Sequence, residues 1–192
     1  MASNPKVKLT PAEYLEIERN NEARSEYIDG EVVSMTGASR WHNLIVTNTG
    51  AELHRQLKGK PCEVYLSEMR VHIPSLNIYT YPDIAVVCGE PRFEDAAVDT
   101  LLNPKVVIEV LSPSTESYDR GKKSVFYKTI ESLAELLLIA QDEHKIEHSV
   151  KQRDGRWLSS ETTRLDGLVE LASIGCVLRL SEVYDKVRLL RS

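Results

Sequence analysis

The sequence predicts a mixed α/β domain around a central sheet, and three observations predict it. Helical periodicity recurs at three well-separated places, short runs rich in Val, Ile and Tyr lie between and after them, and an Asp-Gly turn joins two of those runs. The resulting order is helix, hairpin, helix, several strands, helix, further strands.

Thr10-Pro11-Ala12-Glu13 starts the first helix, with Thr10 as N-cap, Pro11 at the first helical position and Glu13 closing a capping box. The helix should run to about Arg19. Residues Glu26 to Met35 read as two short strands around Asp29-Gly30, the strongest short hairpin signal there is. From Ser39 to about Leu57 apolar residues fall at helical spacing, until Gly59-Lys60-Pro61 ends the pattern. Cys62 to Ile73 then alternates, with Met69, Val71 and Ile73 on one face and Glu68, Arg70 and His72 on the other, as one half-buried strand would.

Tyr81 to Cys88 and Val106 to Leu111 are more continuously apolar and fit central strands covered on both faces. Ser114 or Thr115 can cap a helix that carries Lys123 and extends to about Ser132. Leu136 to Ala140, Lys145 to Val150 and Arg156 to Thr163 read as strands, with Asp154-Gly155 as a turn and Ser181 to Val187 as a short closing helix. No repeat or linker divides the 192 residues, so a single domain over 1–192 is expected.

A composition of 42% hydrophobic and 28% charged residues is that of a globular protein. No apolar run approaches the roughly 20 residues of a membrane span, and the polar start Met1 to Lys6 does not resemble a signal peptide. A cytoplasmic protein with no membrane partner is expected. The net charge of −5 excludes a broadly basic surface but not a local basic groove. Cys62, Cys88 and Cys176 are odd in number and far apart, which predicts three free thiols. The absence of GxGxxG, P-loop, HxH and HExxH patterns argues against nucleotide cofactors and zinc.

The chemistry concentrates on two acids, Asp83 and Glu109, each set in a β-forming apolar run. Burying an unpaired carboxylate is costly, so each must be paired, coordinated or neutralised. Residues two apart in a strand share a face, so Asp83 points with Ala85 and Val87, and Glu109 with Val107 and Leu111. If the strands are neighbours, both carboxylates project from one end of the sheet. They would then offer hard oxygen ligands to Mg²⁺ or Mn²⁺, and Lys123 could neutralise charge on a phosphoryl oxygen or orient the attacking water. Plainer readings stand beside this one, since ion pairs also bury acids and a helix lysine is commonly solvated. His42 and Glu31 are secondary candidates, as substrate contact and extra carboxylate, and Glu26 has the same standing as Glu31. For nucleic acid, Lys145, Lys151, Arg153, Arg156 and Arg164, with Arg55, Lys58 and Lys60, could engage phosphates.

Pro82-Asp83, the strand acid Glu109 and a following lysine resemble the site of the PD-(D/E)XK nuclease superfamily. The segment Glu26 to Glu31, Ser39 with His42, Tyr81-Pro82-Asp83, Asn103-Pro104, Glu109 to Thr115, and Lys123 with Tyr127 resemble, in that order, the Uma-type restriction endonuclease family. The resemblance spans roughly residues 9–188. It implies a restriction-endonuclease-like mixed central sheet flanked by helices, with additional antiparallel strands. It further implies a metal-dependent DNA endonuclease in which Asp83 and Glu109 bind Mg²⁺ or Mn²⁺ and Lys123 assists the attacking water. Leu111 stands where the superfamily places its lysine, and Lys123 on the next helix is the position that matches the Uma-type pattern. Lys122 is the rival, about 100° away on the helix. Two alternatives remain: a catalytically silent nuclease fold acting as a nucleic-acid-binding or assembly module, and a metal-free hydrolase using both acids as acid and base. A homodimer would let two sites address two strands.

Overall fold

Thr10 fixes the start of α1 (Pro11–Arg19) by accepting the Glu13 amide at its hydroxyl, while the Glu13 carboxylate accepts the Thr10 amide at 2.7 Å. The computed structural model describes residues 8–35 and 37–189, so the polar start at Met1 to Lys6 and both ends of the expected 1–192 domain lie outside the described residues. β1 (Ser25–Ile28) and β2 (Glu31–Ser34) are joined through Asp29 and Gly30, both at positive φ (45° and 97°), as a tight hairpin turn requires. α2 (Arg40–Leu57) begins at Ser39, whose hydroxyl accepts the His42 amide at 3.1 Å.

The expected single strand from Cys62 to Ile73 is corrected into two. β3 (Cys62–Leu66) and β4 (Arg70–Ile73) belong to different sheets, because Ser67 takes φ 38° and turns the chain between them. After a 3-10 turn at Pro74–Leu76 come β5 (Ile78–Thr80), β6 (Ile84–Cys88), β7 (Thr100–Leu101) and β8 (Val106–Leu111). The lysine-bearing helix is continuous but irregular: α3 (Glu116–Tyr118), a π-helical turn (Asp119–Lys123) and α4 (Ser124–Tyr127). It stops short of Ser132, and Thr115 stands at the N-cap as expected but without a side-chain capping bond, since the Ser114 and Thr115 hydroxyls both engage Ser112. β9 (Glu135–Ala140), β10 (Ile146–Lys151), β11 (Trp157–Thr162), the hairpin β12 (Leu168–Leu171) with β13 (Cys176–Arg179), and α5 (Leu180–Val183) complete the chain.

The strands form a five-stranded sheet in the order β2-β1-β5-β4-β7 and a six-stranded sheet in the order β11-β10-β9-β8-β6-β3. In the larger sheet β8 and β9 are parallel, with the irregular helix lying in the connection between them, and the other pairs are antiparallel. β8 is buried at all six positions, as a near-continuous apolar run in a central strand should be. Val106, Ile108 and Val110 pack with Ile45 and Leu53 of α2 and Leu178 of β13. Val107 faces the other way, toward Tyr127 of α4 and toward Val71 and Ile73 of the smaller sheet. Glu18 pins α1 to that smaller sheet by accepting the Tyr81 hydroxyl at 3.0 Å and the Ser25 amide at 2.9 Å. No helix among the described residues is long and apolar enough to cross a membrane. The architecture is thus a mixed sheet flanked by helices with additional antiparallel strands.

Cys62 and Cys88 are directly opposed in the β3–β6 pair and joined by a disulfide, which corrects the expectation of three free thiols; Cys176 alone is free and buried. The pairing depends on strand register, which cysteine spacing does not report. Closing a loop of this length restricts the unfolded chain by about 3 kcal/mol. Reduction with dithiothreitol, or Cys62→Ser with Cys88→Ser, should therefore lower the urea midpoint and steepen the slope, because the freed unfolded chain exposes more surface. An unchanged midpoint would show that the crosslink does not restrict the unfolded chain.

Candidate active site

β6 begins one residue after Asp83 and pairs with β8 through Ile84 and Ile108, which sets Asp83 level with Glu109. The Val110 amide, which a longer β6 would occupy, instead donates to Asp83 Oδ2 at 2.7 Å. The same oxygen lies 3.2 Å from Nε2 of His42, carried in on the first turn of α2. His42 Nδ1 is buried and has no hydrogen-bond partner among the described residues.

Glu109 shares the Val107 face and points beneath the irregular helix. Its Oε1 accepts the Tyr127 hydroxyl at 2.6 Å and lies 2.9 Å from Lys123 Nζ. Lys123 Nζ is also 2.8 Å from Oε1 of Glu26, which β1 delivers from the smaller sheet. Thr80 and the Tyr81 amide donate to that same Glu26 oxygen, the latter at 3.3 Å, and the Thr80 and Tyr127 hydroxyls are 3.2 Å apart. Asp119, on the same helix, is also buried and acts electrostatically on both Lys123 and Glu109.

The structure therefore brings Asp83, Glu109, Lys123 and His42 together, and leaves Glu31 exposed on β2. It also separates the two lysines: Lys123 is buried at the acids and Lys122 is exposed. Sequence reasoning underrated Glu26 and passed over Thr80 and Asp119 as site residues. The available signal was the spacing that groups Asp119, Lys123 and Tyr127 on one helix face. The π-helical turn itself, a winding often found at functional sites, left no sequence mark.

Three carboxyls, from Glu26, Glu109 and Asp119, act on one ammonium, and Asp83 acts on Glu109 and Asp119 in turn. Burial pushes the Glu109 carboxyl up to about 8, opposed by Lys123 and reinforced by Asp83 and Asp119. Burial likewise raises Asp119. Burial alone would depress Lys123, but Glu109, Tyr127, Glu26 and Asp119 outweigh it and hold the ammonium well above its ordinary value. Lys123 thus stays charged among carboxyls that burial pushes toward protonation, so the cluster has an unmet demand for positive charge.

That demand and the hard oxygen donors fit a divalent cation. The described residues give no hydrogen bond to Asp83 Oδ1 or Glu109 Oε2. Among the described residues no group of three or more His, Cys, Asp or Glu side chains is arranged to hold a metal ion. Two carboxylates nevertheless match what Mg²⁺ commonly takes from protein, the remainder being water and phosphate.

The sequence model of the family described as "Uma2: Putative restriction endonuclease" matches residues 11–181. This chain belongs to the Uma2 family. Its relatives include two uncharacterized Synechocystis sp. proteins. One, sll1609, is 39% identical over 153 residues, covering 80% of this chain and 86% of its own length. The other, slr1290, is 36% identical over 182 residues, covering 95% and 94%. A crystal structure described as "a putative nuclease belonging to DUF820" from Anabaena variabilis superposes with a TM-score of 0.77 at 23% identity, covering 94% of this chain and 99% of that one. This Uma2 chain therefore has the PD-(D/E)XK nuclease fold.

The raised Glu109 carboxyl has a measurable consequence. Its protonated form favours the fold fully below the ordinary value of 4.5, and that contribution is lost as pH rises toward about 8. Glu109→Gln stays neutral throughout, so its stability relative to wild type should climb over this window, by at most about 1.4 kcal/mol per pH unit, the limit for one proton. Urea denaturation at a series of pH values checks this, and a flat difference would contradict a raised Glu109.

Proposed function

We propose that this Uma2 protein is a metal-dependent endonuclease that hydrolyses phosphodiester bonds in DNA, with Asp83 and Glu109 as ligands for Mg²⁺ or Mn²⁺. The observation that carries the reading is the Lys123 ammonium held at 2.9 Å from Glu109, whose carboxyl also lies within electrostatic reach of Asp83 and Asp119. When bound, the ion would supply Lewis-acid stabilisation and a bound water of lowered pKa. Lys123, kept charged by its neighbours, would neutralise charge developing on a phosphate oxygen or orient the attacking water. Glu26, Thr80 and Tyr127 fix the lysine and the Glu109 carboxyl in place. His42 orients the Asp83 carboxylate. The reading includes a cytoplasmic setting and a two-fold dimer able to address both strands.

A second reading is a nuclease fold that binds nucleic acid or assembles with partners without cutting. The count of preformed metal ligands, taken alone, favours it, because no group of three is present among the described residues.

Purified protein with supercoiled DNA and Mn²⁺ separates the two. Nicking should be abolished by EDTA and should fall by about a hundredfold or more in Asp83→Ala, Glu109→Ala and Lys123→Ala, as loss of an electrostatic stabiliser does. Nicking that persists in both carboxylate variants would reject this site. DNA binding with no nicking by wild type would establish the second reading, and activity that survives EDTA would point to metal-free acid and base chemistry.

A further inference from the structure

The helix that turns Asp119, Lys123 and Tyr127 toward Glu109 presents Arg120, Ser124 and Lys128 on its other flank, where they line a cavity of about 310 Å³. The opposite wall is the outer part of the larger sheet, with Leu138 of β9, Glu147 and Ser149 of β10, and Ser159 and Glu161 of β11. By strand register Glu109, Leu138, Glu147 and Glu161 form one row across β8, β9, β10 and β11. The cavity thus lies on the same sheet face as the acid cluster, with the helix between them.

The cavity is polar in an ordered way. From Arg120 to Lys128 the helix covers roughly 12 Å at its usual rise. At one end Arg120 is already committed to Glu116 and Glu147, and Lys145 lies 3.4 Å from both Glu147 and Glu161. At the other end the Lys128 ammonium stands 5.6 Å from the centre of the Trp157 ring, and burial lowers its pKa with no carboxylate opposing among the described residues. Between the ends, Ser124 of the same helix lines the cavity and is itself only 7% exposed. The Ser149 and Ser159 hydroxyls face each other at 2.8 Å.

A half-buried cation with no carboxylate against it among the described residues, in a cavity whose wall also carries the Ser124 hydroxyl, suits a phosphate, which accepts several hydrogen bonds and carries the missing charge. Paired serine hydroxyls and the Glu161 carboxylate farther along suit the hydroxyls of a sugar. The volume lies at the small end of ligand sites, enough for one compact molecule. We propose that this cavity is a second binding site, for a sugar phosphate, supplied either as a free small molecule or as one nucleotide of a bound strand. The site does not depend on the cleavage reading, since none of its side chains belongs to the acid cluster.

Trp157 is one of two tryptophans in the chain, so Trp41→Phe leaves it as the sole indole reporter beside Lys128. Ribose 5-phosphate, inorganic phosphate and a short oligonucleotide would each be titrated against this full-length variant. Ribose 5-phosphate or the oligonucleotide should change Trp157 emission saturably, and whichever acts names the source. Lys128→Ala should weaken binding about tenfold or more, as loss of a charged contact does. Ser159→Phe, on an exposed strand, should block the cavity without disturbing the core. No saturable response to any probe, equal affinity for inorganic phosphate and the sugar phosphates, or binding indifferent to both Lys128→Ala and Ser159→Phe would overturn the proposal.

Discussion

A single buried ammonium joins the three layers of this protein. Lys123 comes from the irregular helix, Glu109 from the central strand of the larger sheet and Glu26 from the smaller sheet, and each carboxyl lies within 2.9 Å of the same nitrogen. A charge in that position is tolerated only because it is paired on both sides. The two apolar clusters that meet along β8 would pack two sheets together without it, but they would not fix which residues of the smaller sheet face Glu109. Hydrophobic contacts bring these layers into register loosely, and the charged contacts select one register.

The surroundings follow from that choice. Tyr127, one turn beyond Lys123, donates to the oxygen that the lysine approaches, while Thr80 and the Tyr81 amide hold Glu26. These are neutral donors directed at carboxyls, and they spread negative charge that one lysine cannot balance. Asp83 uses a different device. It takes the backbone amide left over where β6 stops and β8 continues, so its position is fixed by strand length rather than by packing.

Much of this was legible in the chain, because local rules and the global fold agree there. The Thr10 capping box, the Asp29-Gly30 turn and the doubly buried β8 each announce themselves through residue chemistry that has one good structural answer. The acid pair was legible for the opposite reason: Glu109 violates its apolar context. Lys123 was separable from Lys122 by its helix face. What escaped is non-local. Glu26 looks like any hairpin acid until a second sheet places it against the helix, and Cys62 meets Cys88 only through strand register. The break between β3 and β4 was hidden because alternation continues on both sides of Ser67. The β12–β13 hairpin alternates too, with Val169, Leu171, Cys176 and Leu178 buried, but its short runs lacked a turn signal strong enough to declare it.

The parallel pairing of β8 with β9 carries a kinetic consequence. Parallel neighbours need a crossover, and here the crossover contains the helix that supplies Lys123. The chain therefore cannot close its central sheet without also placing the lysine, and it cannot place Glu26 until the smaller sheet has docked. Such long-range pairings are slow to form. A nascent or partly unfolded chain would thus hold a scattered set of ordinary surface acids, and the acid cluster would arise late and all at once, as a property of the finished fold.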